Sequence, residues 1–264
     1  MWDPATYLRY GDERSRPFHD LLSRVAADRP RTVVDLGCGP GTLTATLATR
    51  WPGSRIVGLD SSPEMIARAA ALDTPVTFGV ADVRDWRPDP VTDVVVSNAV
   101  LQWVPGHREL LTRWAGELPA GAWLAMQVPG NFDAPSHRAL REVAGRPPWQ
   151  ADLAPLRREA PVADPVDYAG FLAAAGCAVD AWETTYVHLL PARPDADHPV
   201  LTWMEGTALR PFRAALDSTG WPAFRAALAV RLAEAYPVRQ GQVYFPFRRI
   251  FVVARTGARV QESS

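Results

Sequence analysis

Val33-Val34-Asp35-Leu36-Gly37-Cys38-Gly39-Pro40-Gly41 is an apolar run that ends in a carboxylate and then in a glycine-rich turn. Thr32 to Leu36 shows no alternation of polar and apolar residues, which suits a strand buried on both faces of a parallel sheet. The glycines that follow permit a tight turn and a close approach of backbone to a ligand. The dinucleotide fingerprint GxGxxG has similar causes, but the spacing here is GxGxG, and Asp35 stands just inside the strand end. A negative group beside such a turn helps a ligand carrying an ammonium and a sulfonium and repels a pyrophosphate. The competing use of Asp35 is as a turn former bonded to its own backbone.

Working outward, Arg16 to Ala27 carries Phe18, Leu21, Leu22, Val25 and Ala26 at amphipathic-helix spacing. After the glycine turn, Leu43 to Arg50 predicts a helix, stopped by Pro52 and Gly53, and Arg55 to Leu59 predicts a second strand closed by Asp60. Ser61, Pro63 and Glu64 have the chemistry of a helix start running to Ala71. Val76 to Val80, Val91 to Ser97 and Ala122 to Val128 read as further strands, with a helix over His107 to Leu118. Strands alternating with helices imply an α/β, Rossmann-like, doubly wound parallel sheet.

Beyond Pro129 the regularity breaks. Asn131 to Pro165 is rich in proline and arginine, with one helical stretch over Ser136 to Ala144, and suggests a cap. Asp167 to Ala175 reads as a helix ended by Gly176, Val179 to Leu190 as a sixth strand, and Leu201 to Tyr236 as a second helical insertion. Val243 to Arg255 alternates and then runs apolar, as a seventh strand, and Arg255 to Ser264 is expected to fray. The expected organisation is one domain over 1–264, with a cofactor-binding core at 32–128 and helical substrate insertions at 129–176 and 198–242.

Composition narrows the function. The formal net charge of -1 argues against a nucleic-acid surface, which needs a broad basic footprint. All 28 basic residues are arginine, which excludes a lysine Schiff base and a phosphate-loop lysine and leaves groups suited to bidentate capture of carboxylates. Cys38 and Cys177 are too few for a disulfide framework, and the five histidines form no helical pair, so no metal is expected. Residues 1 to 30 lack an apolar signal core and no later run is long enough for a membrane span, so a cytoplasmic enzyme without membrane contact is expected.

The strand ends complete the cofactor reading. Asp60 is placed to accept ribose hydroxyls, a role shared by nucleotide binders of several kinds. Asp82, after the third strand, is placed to accept from an adenine amino group while Val83 packs on the ring. Together with Asn98 after the fourth strand, the candidate S-adenosylmethionine contacts are Asp35, Gly37, Cys38, Gly39, Gly41, Asp60, Ser61, Met65, Asp82, Val83 and Asn98.

From Thr32 to Val128 the chain resembles the class I S-adenosylmethionine-dependent methyltransferases. The resemblance narrows to the trans-aconitate methyltransferases through Trp2-Asp3-Pro4 with Tyr7 and Tyr10, Ser97-Asn98-Ala99-Val100-Leu101-Gln102-Trp103-Val104-Pro105, and Gln127-Val128-Pro129-Gly130-Asn131-Phe132-Asp133-Ala134-Pro135-Ser136-His137. Gly206-Thr207-Ala208-Leu209-Arg210-Pro211-Phe212 and Phe245-Pro246-Phe247-Arg248-Arg249 extend it over nearly the full length. It implies a seven-stranded sheet with helical cap insertions, and methyl transfer to a carboxylate of trans-aconitate giving a monomethyl ester and S-adenosylhomocysteine. The partner is then a small tricarboxylate, met by a monomer or weak homodimer.

A carboxylate with a pKa of about 4 is already ionised at neutral pH, so no catalytic base is expected, only orientation. Candidate substrate contacts are Trp2, Tyr7, Tyr10, Trp103, Asn131, Arg210, Arg248 and Arg249. Trp2, Tyr7 and Tyr10 suit a flap or an N-terminal packing cluster, and Trp103 suits a site wall or plain core. Arg248 and Arg249 alternate on a strand, so at most one is expected to enter the site. Rival readings are a methyltransferase for another small acid or small molecule, an NAD-linked oxidoreductase, and an S-adenosylmethionine-binding protein without turnover.

Overall fold

The computed structural model describes residues 11–156 and 161–257, with side chains from Ser15 onward. Trp2, Tyr7 and Tyr10 lie outside the described residues.

β1 (Thr32–Leu36) is buried at all five positions, as a strand flanked on both edges and covered on both faces must be. It pairs in parallel with β2 (Arg55–Asp60) and with β4 (Thr92–Asn98); β2 pairs in parallel with β3 (Thr77–Val80), and β4 with β5 (Trp123–Pro129). Helices α1 (Gly11–Leu22), α2 (Thr42–Arg50), α3 (Pro63–Ala69) and α4 (His107–Glu117) accompany these strands. The sheet is completed by β6 (Cys177–Pro191) and β7 (Gln242–Thr256) in the order β3-β2-β1-β4-β5-β7-β6.

β7 runs antiparallel to β5, so the expected all-parallel sheet is a mixed one. The strand-helix alternation that justifies parallel pairing stops at β5. The chain then passes through α5 (Pro135–Ala144), α6 (Pro165–Ala174), β6, α7 (Pro199–Glu205), α8 (Arg210–Ala215) and α9 (Gly220–Ala235) before β7 enters the sheet from the opposite end.

Two compact units divide the chain. One comprises Gly130–Pro161 and Thr185–Arg248; the other comprises Arg14–Pro129, Val162–Thr184 and the chain from Arg249. The expected insertion 129–176 is therefore shared between them. The first unit has its own apolar core, in which Leu140 and Val143 of α5, Trp203 and Met204 of α7, Phe224, Leu228 and Leu232 of α9, and Phe245 are buried. The second is built on the sheet. The burial pattern of β7 changes where the units change: Val243, Phe245 and Phe247 alternate with exposed or half-buried neighbours, and then Arg249 to Ala254 are buried without a break.

Four boundaries differ from the sequence reading. The first helix ends at Leu22 rather than Ala27, because the Arg50 guanidinium donates to the carbonyls of Leu22 and Val25 and holds the chain in a turn. Helix α3 is capped by Ser62, whose hydroxyl accepts from Met65 N, not by Ser61. The helical insertion expected over Leu201 to Tyr236 begins two residues earlier, at Pro199, and consists of three helices, the last two separated where Asp217 accepts from the amides of Thr219 and Gly220. Arg255 and Thr256 belong to β7, where the Thr256 hydroxyl donates to the Pro119 carbonyl, and not to a tail.

Candidate active site

The parallel strands deliver their carboxyl ends to one edge, where sheets of this kind bind ligands. At the end of β1, Gly37 and Cys38 donate to the Leu59 carbonyl at 2.7 and 3.0 Å, tying the glycine turn to β2. Gly37 has φ +82°, and a Cβ there would lie 2.1 Å from Val100 Cγ2, so only glycine fits. Gly39 has φ +56°, but a Cβ there would meet nothing within 4 Å. Open space on that side of the turn is what a backbone cradle for a ligand requires.

Asp60, half-buried at the end of β2, latches this turn. Its Oδ2 accepts from Gly39 N and its Oδ1 from Ser62 N, each at 2.9 Å. Ser61 beside it is exposed, and Met65 sits half-buried on the first turn of α3. Asp35 is only 3% exposed, and the Thr44 hydroxyl donates to its Oδ2 at 2.6 Å. It accepts from α2 and not from its own turn. Burial pushes its carboxyl up to about 7, opposed by the Thr44 hydroxyl and assisted by the charge of Asp60. Burial, with Asp35 and Asp60 adding, also drives the Cys38 thiol well above its ordinary range. Asp82 is clasped by Arg84 through the backbone amide, Nε and Nη2, and this clasp holds its carboxyl down to about 2. Val83 beside it is buried.

The end of β4 carries a second cluster. Ala99 adopts φ +59°, uncommon for a residue with a Cβ, and its carbonyl accepts from Gln102 Nε2 at 2.7 Å. The buried Oδ1 of Asn98 and Oε1 of Gln102 have no hydrogen-bond partner. Trp103, on the short 3₁₀ turn Leu101–Trp103, is 52% exposed and is not part of the core. On β7, Arg249 is buried, and its Nη1 donates to Gln127 Oε1 of β5 at 3.4 Å. Among the described residues no group of three or more histidine, cysteine, aspartate or glutamate side chains is placed to hold a metal ion.

A family model of a methyltransferase domain matches residues 9–181. The chain is 60% identical to the trans-aconitate 2-methyltransferase of Mycobacterium sp. (strain KMS), with 97% of this chain and 100% of that one covered. The chain belongs to the trans-aconitate 2-methyltransferase family. It is also 59% identical to the trans-aconitate 2-methyltransferase of Rhodococcus jostii (strain RHA1), over 97% of this chain and 99% of that one. Among solved structures, the YcgJ protein of Bacillus subtilis superposes with a TM-score of 0.58 at 15% identity, covering 91% of this chain and all of that one. At that identity the likeness concerns the fold alone, the seven-stranded class I methyltransferase sheet.

In this family member, the candidate residues Asp35, Gly37, Cys38, Gly39, Gly41, Asp60, Ser61, Met65, Asp82, Val83, Asn98, Trp103 and Arg249 all belong to the sheet unit; Asn131, Arg210 and Arg248 belong to the other. Asn131 has both ends of its amide committed to the backbone of Arg248: Oδ1 accepts from Arg248 N at 2.7 Å and Nδ2 donates to Arg248 O at 3.1 Å. Its side chain thus continues the β5–β7 ladder, and its predicted substrate role competes with this bond. Arg210 is exposed at the start of α8, Arg248 is half-buried and Arg249 buried, in keeping with the alternation of a strand. The sequence reading missed Thr44 and Gln127. A polar residue inside the apolar run Leu124-Ala125-Met126-Gln127-Val128 was the available signal for the last of these.

Proposed function

We infer that this chain transfers the methyl group of S-adenosylmethionine to a carboxylate of trans-aconitate, giving the monomethyl ester and S-adenosylhomocysteine. The observation that carries the substrate assignment is the likeness to relatives of that name over essentially the whole of both chains. The cofactor assignment is supported by the open space beside Gly39 and by the buried, cation-poor carboxylate of Asp35. The residues that would hold the cofactor are Asp35 for its ammonium, the Gly37 to Gly41 turn for the amino-acid portion, Asp60 for the ribose and Val83 for the adenine face. When bound, S-adenosylmethionine supplies the methyl carbon: a carboxylate oxygen forms the new C–O bond as the C–S bond breaks, the electron pair passes to sulfur, and no proton moves.

The protein's own residues therefore have no proton to remove. Their work is to fix two ligands against each other, an arrangement that contributes on the order of 7–11 kcal/mol in well-oriented reactions. Asp60 presets the turn before any ligand arrives, and Arg249 supplies a buried positive charge for an anionic substrate. Between the exposed Arg210 and the half-buried Arg248, the substrate role falls to whichever lowers the affinity for the acid when replaced by alanine. The helical stretches 129–176 and 198–242 serve as the substrate-binding part of one methyltransferase domain. The direct test is incubation with trans-aconitate and methyl-labelled S-adenosylmethionine, followed by mass spectrometry. A labelled monomethyl ester formed in equal amount with S-adenosylhomocysteine is expected; cofactor left intact in the presence of the acid would overturn the assignment.

A further inference from the structure

Thr44 stands on the first turn of α2, fully buried, and its hydroxyl has a single hydrogen to give. A threonine inside a helix ordinarily returns that bond to a carbonyl three or four residues back, as Thr46 does to the Leu43 carbonyl at 2.6 Å. Thr44 instead donates out of the helix, to Asp35 Oδ2 at 2.6 Å. Both partners are buried, and in such surroundings a bond from a hydroxyl to a carboxylate is short and strong.

The elements packed around Asp35 show what this bond does. Gly58 of β2 and Val96 of β4 stand opposite Asp35 in register and carry no ionisable group. Arg55 of β2 and Asp93 of β4 lie towards the far ends of their strands. Arg50, the one charged residue of α2, lies at that helix's other end, where its guanidinium donates to the carbonyls of Leu22 and Val25. The titratable groups coupled to Asp35 are Asp60, whose charge favours the protonated carboxyl, and Cys38, whose thiol is kept neutral by burial. Thr44 opposes burial and Asp60, because a donor to a carboxylate favours its charged form. By holding Oδ2 it also fixes the plane of the carboxylate, and with it the direction of Oδ1.

We propose that Thr44 is a positioning residue of the cofactor site, its hydroxyl setting the direction of the Asp35 carboxylate and favouring the ionised form that a cationic ligand requires. This rests on the function inferred above, in which Asp35 receives the ammonium of S-adenosylmethionine. Thr44 meets neither the ligand nor the reacting atoms and acts through Asp35 alone. Without its hydroxyl the carboxyl would ionise only at higher pH, and near neutrality the protein would have to shed a proton before taking the cofactor.

The test uses the full chain with Thr44→Val, which keeps the branched shape and removes the donor, and Thr44→Ser, which restores it. S-adenosylhomocysteine, which carries the same ammonium, is titrated calorimetrically into each protein over roughly pH 5.5 to 8.5. Affinity in the wild type should climb with pH and level off at about 7, where the free carboxyl ionises. In Thr44→Val the levelling point should move up by about one pH unit, leaving affinity at pH 7 about fivefold lower, and Thr44→Ser should return both to the wild-type values. In an Asp35→Asn background, Thr44→Val should change affinity by less than about twofold. An unmoved levelling point overturns the proposal, and so does an equal loss in the Asp35→Asn background; either makes Thr44 a packing residue. Should Thr44→Val fail to fold, Thr44→Ala removes the same donor and decides in its place. A wild type whose affinity is flat with pH overturns the cofactor role of Asp35 itself, and is told apart from failure of Thr44 alone because it appears before any substitution.

Discussion

Replacing Asp35 by asparagine removes one charge from the end of β1, keeps the shape of the side chain, and separates what that carboxylate costs from what it does. Its folded-state value of about 7 stands against an ordinary 3.8, with burial as the main cause. The folded protein therefore binds this proton more tightly than the unfolded chain does, and the stability due to Asp35 falls as pH rises from about 4 to about 7, then stays level. About three pKa units at about 1.4 kcal/mol each set a ceiling of about 4 kcal/mol. Of this, roughly 2–3 kcal/mol develops between pH 5 and pH 8.

The asparagine introduces its own cost where its N–H groups find no acceptor, but that cost does not vary with pH. The change in the gap between variant and wild type is the clean quantity. At roughly 2 °C per kcal/mol for a chain of this size, the melting temperature of Asp35→Asn relative to wild type should rise by about 5 °C between pH 5 and pH 8. Over the same range its affinity for S-adenosylhomocysteine should fall at least tenfold below that of the wild type. Scanning calorimetry and titration calorimetry at the two pH values read both effects. A stability gap that does not change with pH refutes the burial argument, and retained affinity refutes the cofactor role.

If a cationic group binds beside Asp35, it lowers the raised carboxyl pKa, so binding near pH 6.5 should release protons; heats of binding that are identical in phosphate and Tris buffers would contradict this. Gly39→Ala, whose new Cβ meets no protein atom, should cost only about 1 kcal/mol for its left-handed backbone yet weaken S-adenosylhomocysteine at least tenfold, as titration calorimetry would read. Gly37→Ala drives a methyl into Val100 and should cost at least ~3 kcal/mol by urea unfolding, with little soluble protein as the extreme outcome. Tyr168→Phe strands His107 Nε2, which the phenol meets at 2.7 Å, and should cost about 1–3 kcal/mol with an unchanged urea m-value; a loss below ~0.5 kcal/mol would mean the buried pair is not a support for the 104–107 loop.

The part of this fold that was legible in the sequence is the part governed by local rules. Asp35, Asp60, Asp82 and Asn98 sit at the strand ends where apolar runs stop, and a run of valines flanked by glycine has few alternatives to a buried parallel strand. The antiparallel course of β7 was not legible, because direction within a sheet is decided by how the preceding helices return the chain and not by the strand's own residues. Nor was the end of α1, where the apolar periodicity continues to Val25 while a guanidinium 25 residues away takes the carbonyls a further turn would use. Asn131 carried a polar side chain in a loop that resembles a substrate segment, and only coordinates reveal that its amide extends the ladder to Arg248. Gln127 was visible as a polar break in an apolar strand, yet its meaning depends on Arg249, distant in sequence and opposite in register.

The three aspartates at adjacent strand ends show why one of them matters most for choosing the ligand. Asp82 already faces the Arg84 guanidinium, so its charge is neutralised nearby and contributes little field to an incoming group. Asp60 spends both oxygens on backbone amides and shapes the turn, a role that a cationic and an anionic nucleotide would use alike. Among the described residues Asp35 accepts from the neutral Thr44 hydroxyl, and burial together with the charge of Asp60 raises its pKa, so its charge is poorly compensated. A cationic ligand supplies the missing compensation, whereas a pyrophosphate would force the carboxyl to stay protonated and would lose the interaction. In the proposed function, selection for a sulfonium nucleoside therefore resides less in the glycine turn, which many nucleotide binders share, than in the poorly compensated carboxylate beneath it.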